Sequence, residues 1–381
     1  MRKFVVLLVV VLLVGSAAPI ATGEATTDRS TPPECDFPLT VKDATGAEIT
    51  LEEPPERVVT TLPSAAQVMW EIGASDKVVG LTQFALYLDN ASDRTLISEN
   101  DEIVVLEIVV ELEPDLVLAP NATDAETIDQ MRDAGLTVYH FPLEEDLDDV
   151  FATTARIGEL TGECAGAEET LSWMDEELRI VEDAIEGQER PGAMYLFFDF
   201  TAGSGTFIDE IITTAGGENL AASASIQGYQ AVSDEVVVNE SPDWLIVNDQ
   251  DPAMPESDVL NETPAVQNDQ IVTVEVEHLN QPAPRNILAI KTLVEHFHPE
   301  AYAEAKAAAE EADTDDTDGV ADADDTDEAD DADDTPAHAD DADDVADDAA
   351  VVTTDDSDPI PGFGVIAAIV GLAILLASRR R

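Results

Sequence analysis

Glu113-Pro114-Asp115-Leu116-Val117-Leu118-Ala119 decides the fold, because it marks where a helix stops and a buried strand begins. Pro114 cannot continue a helix, and Asp115 favours the turn that follows. Four apolar residues in a row then read as a strand covered on both faces, as in a parallel sheet. The phrase returns as Ser241-Pro242-Asp243-Trp244-Leu245-Ile246-Val247. Each copy follows a helical stretch, Ile103–Leu112 in the first case and Asp234–Asn239 in the second. The body of the chain therefore divides into two similar halves.

Working outward, the first half continues the alternation of strand and helix. Strands are expected around Val41, before a turn at Thr45-Gly46, and at Arg57–Thr60, Val78–Gly80 and Thr137–Tyr139. Helices are expected from Ala65 to Ile72, with Ser64 as N-cap, and over Ala125–Ala134. The second half has strands at Met194–Phe198 and Ile271–Val276. Its helices are Phe207–Ala215, ended by Gly216-Gly217, and Arg285–Phe297. Between the halves, Val150, Ile157, Leu160, Leu171, Met174, Leu178, Val181 and Ile185 fall largely at helical spacing, interrupted by Gly162 and Gly166. The expected class is α/β: two Rossmann-like lobes with mainly parallel sheets, joined by a long backbone helix, with a cleft between the lobes. Ligands of such sheets sit at the carboxyl ends of the strands, so loops from both lobes would line the cleft.

The two ends carry an address. Arg2-Lys3, the apolar run Phe4–Val14 and Gly15-Ser16-Ala17-Ala18 form a signal peptide over 1–23, the run being short for a membrane anchor. Residues 24–38 are a linker, 39–142 the first lobe, 143–189 the connecting helix and 190–299 the second lobe. An Asp/Thr/Ala-rich tract over 300–358 reads as a disordered stalk extended by its own charge. Its Asp313, Asp315, Asp318 and Gly319 do not match a calcium loop. Over 359–381, Pro361-Gly362-Phe363 precedes an apolar run to Ala377 and three arginines, which mark a cytoplasmic end. This arrangement resembles the PGF-CTERM sorting signal of archaeal surface proteins, which implies a membrane helix that is removed and replaced by a lipid anchor.

Acidic residues number 83 against 17 basic ones, for a formal charge of −66. Residues 312–358 hold 22 of the acids, but residues 24–311 still keep 61 against 12 bases. So acidic a body repels itself at low salt and is screened in molar salt, where the Debye length is about 3 Å, as suits a halophile. Nucleic acid is excluded as partner, since phosphate contacts need clustered Lys and Arg. The two cysteines, Cys35 and Cys164, are either bridged or two free buried thiols, and an exported chain favours the bridge. Asn90-Ala-Ser, Asn121-Ala-Thr and Asn261-Glu-Thr are N-glycosylation tripeptides, which also arise by chance.

Several phrases, in order from about residue 39 to 299, make the chain resemble the helical-backbone (class III) solute-binding proteins of ABC importers, the cobalamin and ferric-siderophore group. They are Pro55-Glu56-Arg57-Val58-Val59, Ala74-Ser75-Asp76-Lys77-Val78-Val79-Gly80, Leu112–Ala119, Gly203-Ser204-Gly205-Thr206-Phe207-Ile208, Ala215-Gly216-Gly217-Glu218-Asn219, Tyr229-Gln230-Ala231-Val232-Ser233 and Pro242-Asp243-Trp244. The resemblance implies a non-enzymatic, monomeric protein that catches a corrinoid or iron chelate and hands it to permease and ATPase subunits. It implies that one carboxylate per lobe meets permease arginines, by motif Glu107 and Glu235, with no cofactor of its own.

Cleft candidates are Pro63, Ser64, Gln83, Phe84, Tyr87 and Asn121 from the first lobe, and Phe198, Asp199, Ser204, Tyr229, Asn248 and Arg285 from the second. Aromatic faces suit flat or bulky apolar cargo, and core packing competes for each of these side chains. No Lys or Arg lies between Arg190 and Arg285, which disfavours a triply charged catecholate and favours cobalamin or a neutral siderophore. Arg285 can alternatively brace the backbone beside Pro282 and Pro284. A zinc or manganese carrier of similar architecture is the main alternative, drawing on His140, His278, His296, His298 and His338. An exported hydrolase built on Gly203-Ser204-Gly205 is weaker, because the Gly-x-Ser-x-Gly frame is missing. A surface-layer module would need sandwich-like strands in place of alternating strand and helix.

Overall fold

The structure, a computed structural model, describes residues 35–99, 102–197, 200–250 and 260–318. The signal peptide, His338 and the sorting signal at Pro361, Gly362 and Phe363 lie outside the described residues. Among those described, no helix is long and apolar enough to cross a membrane.

A hairpin of β1 (Leu39–Lys42) and β2 (Glu48–Leu51) precedes the first lobe. The Asp43 carboxylate accepts from the N–H groups of Thr45 and Ala47 in its turn, and pairs with Arg132. The lobe then runs β3 (Val58–Thr60), α1 (Pro63–Glu71), β4 (Val78–Leu81), β5 (Thr95–Leu96), α2 (Leu106–Glu111), β6 (Leu116–Ala119), α3 (Ala125–Asp133) and β7 (Val138–His140). Its five strands are all parallel, in the order β5-β4-β3-β6-β7. Alternate residues of β6 enter opposite layers: Leu116 and Leu118 pack with Ala65 and Met69 of α1, Val117 and Ala119 with Val109 of α2 and Ile128 of α3. That is why the strand is apolar at every position. Each fully buried Val or Leu contributes about 1.5–3 kcal/mol.

Two helices follow, α4 (Leu147–Thr161) and α5 (Cys164–Ile185). The second lobe is β8 (Gly192–Tyr195), β9 (Phe200–Ala202), α6 (Phe207–Thr214), β10 (Glu218–Asn219), α7 (Leu220–Ser223), β11 (Tyr229–Ala231), α8 (Asp234–Glu240), β12 (Trp244–Asn248), α9 (Pro264–Gln267), β13 (Ile271–Val274), α10 (Val276–Leu279) and α11 (Asn286–Phe297), followed by α12 (Pro299–Asp318). Its main sheet, β10-β8-β12-β13, is parallel, and β9 and β11 form a small antiparallel pair. Chain order reverses direction between β3 and β6 in one lobe and between β8 and β12 in the other.

The repeated Pro-Asp phrase has one structure in both places. Glu113 and Ser241 end α2 and α8 in the left-handed region, at φ 46° and 51°. The N–H of Asp115 donates to Arg57 O, and that of Asp243 to Gly192 O, each at 2.8 Å. In return Asp115 Oδ2 accepts from the N–H of Arg57 and Asp243 Oδ2 from that of Gly192, each at 2.9 Å. Each aspartate thereby aligns the amino ends of its lobe's two central strands.

The connector differs from a single rod. Gly162, at φ 76°, stops α4, and a Cβ there would sit 2.9 Å from Pro54. The long backbone helix is α5, of 22 residues. Its Ala167 packs into the first lobe, while Leu171, Met174, Leu178 and Val181 pack into the core of the second, so one rigid element belongs to both. The Cys35–Cys164 disulfide ties the start of α5 to the segment before β1.

Three further expectations are corrected. Ser64 lies inside α1, buried: Leu62 is the cap residue, and Pro63 at the first position supplies a helical φ and lacks an N–H to satisfy. The expected stalk begins as helix: α12 runs to Asp318 because Tyr302, 3% exposed, and Ala305 anchor its Ala/Glu-rich first turns on the second-lobe core. The last strand stops at Val274, since Val276 already opens α10.

Candidate functional site

The two lobes meet at the carboxyl ends of their sheets, through groups carried by α1, the loop after β4 and the segment after β13. Gln67 of α1 is fully buried. Its Oε1 accepts the Arg285 backbone N–H at 2.9 Å, and its Nε2 donates to Glu277 O at 3.1 Å and to Tyr87 Oη at 2.9 Å. Gln281 Nε2 donates to the same two oxygens, at 3.0 and 2.6 Å. Arg285 Nε donates to Glu71 Oε1 at 2.7 Å, and the guanidinium lies 5.8 Å over the Tyr87 ring. Asn286 holds the loop in shape, donating to His278 O and Gln281 O at 2.7 and 2.9 Å.

These bonds fix the chemistry of Tyr87. Two amide N–H groups occupy its oxygen, so its own proton must be directed away from both. Burial pushes its hydroxyl up to about 12, so it stays neutral at any physiological pH.

The topological switch points lie beside this junction. After β3 and β6, Thr61 Oγ1 and Thr123 Oγ1 are 2.7 Å apart, tying together the loops that carry Pro63 and Asn121. Asn121 is exposed. After β8 and β12, the Tyr195 hydroxyl accepts from Asn248 Nδ2 at 3.2 Å and from Asn280 Nδ2 at 2.8 Å. Phe84, half-buried, follows β4 in the short turn Gln83–Ala85. Phe198 and Asp199, after β8, lie outside the described residues, as do 251–259 after β12.

The remaining candidates are more deeply engaged in the fold. Tyr229 packs on Phe207, with ring centroids 6.5 Å apart, and burial raises its hydroxyl pKa. Ser204 donates to Ile226 O at 3.3 Å. At the neighbouring Gly203 a Cβ would come 2.1 Å from that same carbonyl, so the glycines serve close backbone approach. Glu107 and Glu235 are exposed in the first turns of α2 and α8, the two helices that end in the repeated phrase.

Sequence reasoning missed Gln67, Glu71, Glu277 and Gln281. One signal was present: a lone amide inside the otherwise apolar run Ala65-Ala66-Gln67-Val68-Met69. The histidines are dispersed. His140 Nδ1 contacts Ala119 O, His278 pairs with Glu275, His296 contacts Thr292 O and His298 contacts Gly216 O. Among the described residues no three His, Cys, Asp or Glu side chains converge. A groove of about 550 Å³ between α5 and α12, lined by Arg179, Asp183 and Glu304 and by alanines of α12, lies away from the strand ends.

The cations of the second lobe are Arg190, Arg285 and Lys291. Arg190 donates to Thr213 O at 2.8 Å, near the amino end of β8. Lys291 pairs with Glu177 at 2.6 Å, and Arg285 with Glu71. Residues 198–199 and 251–259 include no Lys or Arg. This wall therefore offers an anion no uncommitted positive charge.

Comparison with known proteins agrees with this architecture. The profile of the family described as Periplasmic binding protein matches residues 58–276. The chain is 38% identical over 316 residues to a cobalamin-binding protein of Halobacterium salinarum, covering 78% of this chain and 85% of that one. It is 26% identical to the ABC transporter substrate-binding lipoprotein YvrC of Bacillus subtilis, over 78% of this chain and 96% of YvrC. Among solved structures, the periplasmic heme-binding protein RhuT from Roseiflexus sp. RS-1 superposes with a TM-score of 0.57 at 25% identity, covering 65% of this chain and 99% of that one.

Proposed function

The chain belongs to the periplasmic binding protein family, and from that membership we propose that it is the extracytoplasmic solute-binding subunit of an ABC importer, capturing cobalamin or a neutral ferric siderophore. The observation that carries this reading is the likeness, across most of the chain, to the cobalamin-binding protein of Halobacterium salinarum. Its role is binding and delivery, without bond chemistry of its own.

The charge of the site supports the ligand class. An anionic chelate entering a low-dielectric cleft needs cations to replace its hydration. The second lobe has only Arg285 at its strand ends, and Glu71 already neutralises it. Corrinoids and ferric hydroxamates need no such compensation. Phe84 and the Tyr87 ring supply apolar faces, and the Tyr87 hydroxyl proton is available to a carboxamide oxygen on the cargo. Pro63 and Asn121, on the tied loops after β3 and β6, complete the candidate lining. Arg285 acts chiefly as the latch between the lobes.

Glu107 and Glu235 are the proposed contacts for permease arginines. Their matched positions, one per lobe on helices of equivalent place, suit two guanidinium groups held at fixed separation. Export by residues 1–23 and anchoring by 359–381, through helix or lipid, keep the monomer beside its permease.

Titration of residues 24–318 with cobalamin in molar salt, followed by quenching of Trp70, Trp173 and Trp244, tests the ligand. Saturation at one cobalamin per chain is expected. A signal that stays linear to millimolar cobalamin contradicts it.

A further inference from the structure

The three N-glycosylation tripeptides differ in the one respect that matters to a folded acceptor. Recognition requires the Asn carboxamide and the hydroxyl two residues on. In Asn121-Ala122-Thr123, Thr123 is buried and its hydroxyl is bonded to Thr61 Oγ1 at 2.7 Å. In Asn261-Glu262-Thr263, Thr263 is 1% exposed; its hydroxyl donates to Leu260 O at 2.7 Å and caps α9. Reading either hydroxyl would mean breaking a buried bond, at the switch-point loop in one case and a helix start in the other.

Asn90-Ala91-Ser92 is the opposite case. Asn90 and Ser92 are both exposed, and neither side chain makes a hydrogen bond to another described residue. Asn90 sits at φ 58°, a left-handed position that asparagine tolerates, and so projects from the tip of its turn. The turn is firmly held: Trp70 Nε1 donates to Asp89 O at 2.8 Å, Ala91 N to Leu88 O at 3.1 Å and Asp93 N to Asn90 O at 3.1 Å. A glycan there is carried on rigid backbone. One on Asn121 would instead occupy the loop after β6, at the mouth assigned to cargo.

We infer that Asn90 is an N-glycosylation site of the exported protein, and that the folded structure withholds Asn121 and Asn261. The donor is a lipid-linked glycosyl phosphate. Asn90 Nδ2 forms a bond to the sugar C1, the C1–O bond to phosphate breaks, the phosphate leaves with the electron pair, and the carboxamide loses one proton. The inference rests on export, which the same experiment reads separately.

The test is glycopeptide mass mapping of the full chain made in a haloarchaeal host that glycosylates a control surface protein. A mature N-terminus beyond residue 23 reports export. Sugar is expected on the peptide holding Asn90 and absent from those holding Asn121 and Asn261. Asn90→Gln and Ser92→Ala should each abolish it, while cobalamin binding stays within twofold of the parent. An exported chain bare at Asn90 overturns the inference. So does sugar on Asn121 or Asn261, which would mean that transfer precedes folding.

Discussion

Gln67 in the first lobe accepts the backbone N–H of Arg285 in the second, at 2.9 Å, and both are held where the carboxyl ends of the sheets meet. Both N–H protons of the amide are committed as well, to Glu277 O and Tyr87 Oη. The lobes are joined by a polar pin at the carboxyl ends of their sheets as well as by α5 along their flank. Gln67→Leu keeps the volume, strands the Arg285 N–H and takes one of two donors from each of Glu277 O and Tyr87 Oη. Each buried group left unpaired costs about 1–3 kcal/mol. Unfolding in molar salt should show a loss of about 1–3 kcal/mol, and an unchanged midpoint would remove the pin from the account.

Arg285→Ala separates latch from ligand contact. The Arg285–Glu71 pair is partly exposed, so its loss should cost only about 1 kcal/mol in stability. Cobalamin affinity should fall less than threefold. A tenfold loss would make the guanidinium a direct cargo contact.

Tyr87→Phe removes one oxygen and leaves the Gln67 and Gln281 amides each short of an acceptor. Stability should drop by about 1–3 kcal/mol. Affinity for cobalamin should fall about tenfold if the hydroxyl proton serves the cargo; binding equal to that of the parent would confine Tyr87 to the pin.

Much of this architecture was legible locally. Leu116–Ala119 and Trp244–Asn248 declare buried strands because parallel strands are covered on both faces, and Pro-Asp marks their starts. The pin was not legible, because Gln67 and Arg285 are brought together by tertiary structure alone. Nor was α12: its Ala, Glu and Asp content matches a solvated tract, and Tyr302 and Ala305 pack it on the body. Gly162 was visible as an interruption, but packing against Pro54 decides that it ends a helix. The cleft residues were nominated by loop position, which does not distinguish a side chain that faces cargo from one, like Asn248, bonded into the core.

Glu144 gives the protein a pH-dependent stability. It is 6% exposed, with Thr153 donating to its carboxylate at 3.2 Å, and burial pushes its pKa up to about 7. The folded state therefore holds this proton more tightly than the unfolded chain, for which the ordinary value is 4.5. Stability from this group falls as pH rises from about 4.5 to 7, by up to about 3 kcal/mol. Glu144→Gln should flatten that slope and raise the melting temperature at pH 8. A slope identical to the parent's would rule out Glu144 as its source.

Glu107→Arg and Glu235→Arg should leave cobalamin binding intact and abolish uptake into cells carrying the permease. Uptake at the parental rate in the double variant would refute the docking assignment.

Competition measured by native mass spectrometry tests the central claim most directly. Residues 24–318 are offered equimolar cobalamin, a neutral ferric hydroxamate, heme and a trianionic ferric catecholate, with buffer exchange from molar salt. One neutral chelate per chain, cobalamin or the hydroxamate, is the predicted adduct. Heme or the catecholate in that place would mean that cations reach the cleft after all, and would contradict the account.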